Sequence, residues 1–239
     1  MSGASAERLG GVDPTLYIVT DTAQCAGAGR SVAATVAEAV AGGAHVVQVR
    51  DKDVSDADFR ALADEVLAAV ARTRAVHGID REVPVFLNDR VAVARDLLDA
   101  GERVHVHVGQ SDMDPAEVRR LLGDEPLIGL SAATPEEFAA GRATGAVDMF
   151  GIGPVYDTTT KADAPSGLGP VRLAELAGVA GLPSVGIGGI DAARAAELGT
   201  AGLAARGVVG ICVVSAICTA DDPRAAASAI RAAYLGGAR

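Results

Sequence analysis

The stretch "HVVQVRDKD", His45 to Asp53, places an amide and two cations at alternate positions, Gln48, Arg50 and Lys52. In an extended chain alternate side chains share a face, so Gln48 and Arg50 point one way with Lys52 just beyond, while Val47 and Val49 point the other. Grouped at a strand end, such residues make an anion site; a strand running out into solvated charge would read the same way. Asn88 and Asp89 in "LNDR" and Asp112 in "GQSDMD" offer hard oxygen ligands. Two carboxylates suit magnesium held partly through a substrate's phosphates. Their plainer roles are a helix cap for Asp89 and a turn for Asp112. His107 alternates with Val106 and Val108 and so faces inward, as a site residue or as a satisfied core histidine.

A second group is built for phosphate. "GIGPVYDTTTKADAPSG" (151 to 167) is the longest segment without secondary-structure signals, and its Thr158, Thr159 and Thr160 hydroxyls precede the cation of Lys161. A disordered polar loop is the alternative. In "VGIGGID" (185 to 191), Gly188 and Gly189 follow a strand and open a helix, so bare backbone N–H groups can approach an anion there. Ser215, in "VVSAI", lies after the next strand run. The chain has no serine elbow, no cysteine with a paired histidine motif and no zinc spacing. Its chemistry is therefore binding and charge stabilisation rather than covalent catalysis.

These residues need a scaffold that gathers strand ends. Eight β-rich runs alternate with alanine-rich segments of helical period: 16 to 20, 46 to 50, 84 to 88, 103 to 108, 127 to 131, 147 to 153, 183 to 189 and 207 to 214. Helices are expected in "SVAATVAEAVAGG", stopped by Gly42 and Gly43, and in "DADFRALADEVLAAVARTRAV". Alternating strands and helices imply a parallel sheet, and eight strands imply a single closed (β/α)8 barrel rather than an open doubly wound sheet. The first βα turn, "TDTAQCAGAG", is not a dinucleotide fingerprint. In such a barrel chemistry collects at the C-terminal ends of the strands. Gln48, Arg50, Lys52, Asn88, Asp89, His107, Gln110, Asp112 and Ser131 all fall there.

With 239 residues, 49% of them hydrophobic, the chain suits one α/β barrel domain, expected over 14–239 after a flexible leader over 1–13. A net charge of -10 disfavours nonspecific attraction to nucleic acid or an anionic membrane, so any anionic ligand must be met by local charge. No apolar run is long enough to span a bilayer, and the first residues lack the apolar segment of a signal peptide. Cys25, Cys212 and Cys218 read as reduced packing thiols, which places the chain in the cytoplasm. Homo-oligomerisation stays open.

Taken in order, "LYIVTD", "GGAHVVQVRDKD", "LNDR", "HVGQSD", "GLSAAT", "GIGPVYDTTTK", "SVGIGGI" and "VVSAI" resemble the thiamine phosphate synthases along nearly the whole chain. "QVRDK", "ND", "HVGQ" and the threonine-lysine loop at these spacings are specific, whereas "GIGGI" is shared by many phosphate-binding barrels. The resemblance implies a (β/α)8 transferase that joins hydroxymethylpyrimidine diphosphate to hydroxyethylthiazole phosphate and releases diphosphate with Mg2+. It assigns Gln48, Arg50, Lys52, Asn88 and Lys161 to the pyrimidine and its diphosphate, and Asp89 and Asp112 to magnesium. Ser131, Thr158 and Thr160 would line the reaction region, with His107 and Gln110 near it; Gly188, Val214 and Ser215 would seat the thiazole phosphate. Arg50, Lys161 and Ser131 are the expected catalytic groups. Two departures stand out: Val104 and His105 replace the family's usual Asp-Gly, and "GLAARGVVGI" differs from the usual approach to the eighth strand. The rivals are a thiazole tautomerase-like barrel, a phosphate-binding isomerase barrel and a non-catalytic phosphate-ligand barrel.

Overall fold

The computed structural model describes residues 9–158, 166–201 and 203–237. The eight runs form eight parallel strands: β1 (Leu16–Val19), β2 (Val46–Val49), β3 (Val85–Asn88), β4 (His105–Val108), β5 (Ile128–Ser131), β6 (Met149–Ile152), β7 (Ser184–Ile187) and β8 (Val208–Val213). Each pairs with the next and β8 returns to β1, closing the barrel expected from the sequence. Closure leaves no sheet edge exposed. It also buries most strands on both faces, which is why they read as nearly continuous apolar runs.

The helices, numbered in chain order, are α1 (Thr22–Gly27), α2 (Val32–Ala41), α3 (Asp56–His77), α4 (Val91–Asp99), α5 (Pro115–Leu122), α6 (Pro135–Ala143), α7 (Gly169–Ala180), α8 (Ala192–Thr200), α9 (Ser215–Cys218) and α10 (Pro223–Gly237). Side-chain oxygens of Asp21, Ser31, Ser55, Asp114, Thr134 and Asp191 accept backbone N–H bonds at helix starts. Each such cap is worth about 0.5–2 kcal/mol. Gly42 ends α2, as the glycine-stopped pattern predicts, and the left-handed Gly78 ends α3.

Two apolar layers result. The inner one, Tyr17, Val19, Val46, Phe86, Leu127, Met149, Val185 and Cys212, fills the barrel and forms the floor beneath the strand ends. The outer one joins the strands' other faces to the helices. Leu9 and Val12 pack on the inner layer from the N-terminal side, within the segment expected to be a leader. His105, one of the two departures from the resemblance, is accommodated in the interior. It lies against Phe86 with ring centroids 5.0 Å apart, and its Nδ1 accepts the Leu127 N–H at 3.0 Å. Before β8, the unusual approach becomes a 3-10 turn over Leu203–Arg206, and the β7–β8 register is irregular between Ser184 and Val185. Gly210 is required in β8 because a Cβ there would lie 1.8 Å from the Pro14 carbonyl oxygen. No helix among the described residues is long and apolar enough to cross a membrane.

Candidate active site at the C-terminal end of the barrel

Gln48, near the end of β2, is buried inside the barrel, and its Nε2 donates to the Tyr17 hydroxyl from β1 at 2.8 Å. Tyr17 carries no motif of its own in the sequence, although alternation with Val19 marks it as inward-facing. Just beyond, the backbone N–H of Arg50 donates to Oγ1 of the buried Thr20, whose own N–H donates to the Gln48 carbonyl. Arg50 is thus held at its main chain, with its side chain half-buried at the barrel mouth. The half-exposed Lys52 reaches across to β3, placing Nζ 3.2 Å from Asp89 Oδ2. Arg90 fixes the turn that carries Lys52: its Nη2 donates to the carbonyls of Asp51, Lys52 and Val54, and its guanidinium lies 5.3 Å from the Phe59 ring. One arginine after "LND" carries no local signal of what it will span, so this role is not legible in the sequence.

Asp89 is not a helix cap. Arg90 occupies the N-cap position of α4 and makes no side-chain cap bond, while Asp89 takes a left-handed backbone with φ 61°. Such a conformation is rare outside glycine, asparagine and aspartate, and its strain concentrates at functional positions. It turns the carboxylate toward Asn88, whose Nδ2 donates to Oδ2 at 2.6 Å. Asp112 does make the turn expected of it, since its Oδ2 accepts the Gly109 N–H at 2.8 Å. The same carboxyl also acts electrostatically on Asp89. Burial first, then the Asp112 carboxyl, raises the Asp89 carboxyl above its ordinary range, partly offset by Lys52. Two facing carboxylates with one ammonium between strand ends fit a hard divalent cation, because they hold like charge that a cation would relieve. Among the described residues they are not part of any group of three or more His, Cys, Asp or Glu side chains arranged to hold a metal.

His107 serves the site and the core together. Its Nε2 lies 2.9 Å from Ser131 Oγ, and burial pushes its pKa down to about 4, leaving the ring neutral at ordinary pH. The ring lies over the neighbouring strands because Gly129 and Gly151 have no side chains; a Cβ would come within 2.4 Å and 3.2 Å of it, respectively. Ser131 is exposed at the end of β5, and its carbonyl accepts Gln110 Nε2 at 2.7 Å. The predicted residues of β2 to β5 thus form three contacting sets at one barrel mouth: Gln48 and Arg50 through Thr20, Lys52 and Asn88 through Asp89, and His107 and Gln110 through Ser131.

The phosphate-type elements occupy the following strand ends. Val155 and Tyr156 donate backbone N–H groups to the carbonyls of Ile187 and Gly188, and Gly167 donates to Asp157 Oδ1 at 2.8 Å. The ends of the 157 to 167 segment are joined in this way, with Thr158 half-buried at its start. Thr160 and Lys161 lie outside the described residues. Gly188 and Gly189 have φ of 106° and 63°, and side chains there would meet Pro154, Tyr156 and Asp157. On the adjacent strand end, Val214 is half-buried and Ser215 begins α9.

A mouth that combines cations, facing carboxylates and glycine-rich turns can bind polyanions and stabilise a leaving anion. The family model for thiamine monophosphate synthase matches residues 16–217. The chain belongs to the thiamine monophosphate synthase family. Thiamine-phosphate synthases from Xanthobacter autotrophicus and Azorhizobium caulinodans are 42% and 41% identical to it, the alignments covering 93% and 92% of this chain and 96% and 94% of theirs. A solved thiamine phosphate pyrophosphorylase from Pyrococcus furiosus superposes with a TM-score of 0.76 at 26% identity, covering 94% of this chain and 97% of that one. Membership of this family makes the chain a thiamine-phosphate synthase-type transferase acting on small molecules.

Proposed function

We propose that the barrel mouth condenses 4-amino-2-methyl-5-hydroxymethylpyrimidine diphosphate with hydroxyethylthiazole phosphate, giving thiamine phosphate and diphosphate. The observation that carries this reading is Lys52 Nζ 3.2 Å from the Asp89 carboxylate, which burial and the Asp112 carboxyl hold above its ordinary range, at the strand ends that also carry Gln48 and Arg50. A thiazole tautomerase-like barrel would need the glycine seat but has no use for that apparatus. In the proposed reaction Gln48 and Asn88 orient the pyrimidine, while Arg50, Lys52 and Lys161 receive its diphosphate. Gly188, Val214 and Ser215 seat the thiazole phosphate through backbone N–H groups and a hydroxyl.

Asp89 and Asp112 are the residues that would hold magnesium, which when bound supplies positive charge to the diphosphate oxygens. The C–O bond of the pyrimidine methylene breaks as the amino-substituted ring delocalises the developing cation. Arg50 and Lys161 donate to the departing diphosphate, and Ser131, positioned by neutral His107, lies beside the reacting groups with Thr158 and Thr160. The thiazole nitrogen then donates its lone pair to the methylene carbon. Positioning and charge stabilisation suffice, so no protein nucleophile is required. A diphosphate-release assay that omits each substrate and then magnesium tests the reading. Release is expected only from the complete mixture; release without the thiazole phosphate, or none from the complete mixture, overturns it.

A further inference from the structure

The turn after β7 is held by side chains that the proposed reaction does not use. A Cβ would lie 2.7 Å from Pro154 Cα at Gly188 and 2.6 Å from the Asp157 carbonyl oxygen at Gly189, so the turn is packed closely on the chain after β6. The Gly188 carbonyl accepts the Tyr156 N–H at 3.1 Å, and the Gly189 carbonyl accepts Nη1 of Arg194, from the first turn of α8. The Arg194 guanidinium carbon lies 4.8 Å from the Tyr156 ring centroid, and the Tyr156 hydroxyl donates at 2.7 Å to Glu197 Oε2, one turn further along α8. Burial first, then the Glu197 carboxylate, pushes that hydroxyl's pKa up, so it remains a donor. Both glycine carbonyls are thereby fixed, one by Tyr156 itself and one by the arginine that rests on its ring. In a planar trans peptide the carbonyl and the following N–H point in opposite directions, so the N–H groups of Gly189 and Ile190 are aimed away from Tyr156 and Arg194. Neither donates to an acceptor among the described residues. The other neighbour of β7 is β8, whose end carries Val214 and Ser215.

We propose that Tyr156, Arg194 and Glu197 are positioning residues for the phosphate of the thiazole substrate: they lock the two peptide planes of the glycine turn so that the Gly189 and Ile190 N–H groups stand ready to donate to phosphate oxygens. The proposal rests on the assignment of this turn as the thiazole phosphate seat made above, and deepens it. The three side chains act through the backbone and need no contact with the phosphate. Adjacent glycines have wide conformational freedom, and ordering them costs entropy. A lock that orders the turn before the ligand arrives takes that cost out of the binding step. Without the lock the same phosphate binds more weakly, while the β2 to β4 side of the mouth is untouched.

Calorimetric titration of the full chain with hydroxyethylthiazole phosphate, and separately with inorganic diphosphate and magnesium, tests the lock. Arg194→Ala and Tyr156→Phe each delete one of its hydrogen bonds and should weaken the thiazole phosphate about 3–10-fold, while diphosphate with magnesium binds within about twofold of wild type. Glu197→Gln keeps an acceptor oxygen for the Tyr156 hydroxyl and should bind the thiazole phosphate like wild type, whereas Glu197→Ala should follow Tyr156→Phe. In turnover the weakened variants should raise KM for the thiazole phosphate more than they lower kcat. Proton–nitrogen correlation spectra give a readout that a general loss of stability would not: in ligand-free Arg194→Ala the Gly189 and Ile190 amide resonances should move or broaden while those of Gln48 and Arg50 stay in place. Unchanged thiazole phosphate affinity in both Arg194→Ala and Tyr156→Phe overturns the positioning role, as does equal weakening of both ligands. Failure of the functional reading has a different signature: hydroxyethylthiazole phosphate leaves the Gly189 and Ile190 amides of wild type unshifted, and the positioning role falls with the seat.

Discussion

Single side chains at the mouth each carry a role that can be removed separately. Arg50→Ala takes a donor from a developing diphosphate charge, so kcat should fall about 10²–10³-fold with an unchanged far-ultraviolet circular dichroism spectrum. Tyr17→Phe strips the Gln48 amide of its 2.8 Å partner inside the barrel. That should cost about 1–3 kcal/mol in denaturant melts and raise KM for the pyrimidine substrate more than it lowers kcat. Asp89→Asn isolates the carboxylate pair. Because burial and Asp112 disfavour the charged form of Asp89, the native state gives up stability as pH rises through the Asp89 pKa, and the asparagine variant avoids that loss. Asparagine also tolerates the left-handed backbone. The variant should therefore melt higher than wild type at neutral pH without magnesium, by about 2–4 °C per kcal/mol gained, while magnesium no longer tightens diphosphate in calorimetry. A lower melting temperature would show that the carboxylate stabilises the mouth rather than storing charge for a cation.

At the scale of elements, the strands set what each βα turn can reach. The β4–β5–β6 arch is the clearest case, because the His107 ring rests on Gly129 and Gly151. Gly129→Ala places a methyl 2.4 Å from His107 Nδ1 and must displace the ring. The expected cost is about 1–3 kcal/mol of stability from overpacking. The 2.9 Å approach to Ser131 should also be lost, seen as a shifted His107 imidazole resonance, and activity should fall with it. A variant that melts and turns over like wild type would mean that the ring has room to move and that Ser131 does not depend on it. The strand runs and their order were legible in the sequence because parallel strands buried on both faces leave long apolar signatures. This arch was not, since neither glycine announces which ring it will lie under.

For the whole molecule, pH acts through buried histidines. Burial lowers His45, His105 and His107 to about 4 each, so between roughly pH 6.5 and 4 the unfolded chain binds protons that the native barrel refuses. Stability contributed by their neutrality is complete above about pH 6.5 and is lost as pH falls toward 4. Each such group steepens the dependence by about 1.4 kcal/mol per pH unit. His105→Gln removes one titrating ring while leaving an acceptor near the Leu127 N–H, so denaturant melts from pH 6.5 to 5 should show a slope smaller by about that amount. An unchanged slope would place His105 outside the proton balance. By itself the sequence determined the eightfold alternation of strand and helix, the closed barrel, and the strand ends on which cations, amides and carboxylates gather. Those follow from local periodicity and from the rule that parallel strands present their C-terminal ends together. Only the tertiary structure decided that Asp89 interacts with Lys52 and Asp112 instead of capping α4, that Tyr17 holds Gln48 from below, and that Arg90 spans from the start of α4 to the turn after β2. Each of these joins residues on different strands or turns, and such meetings are set by closing the barrel and by the reach of long side chains, which no local pattern records.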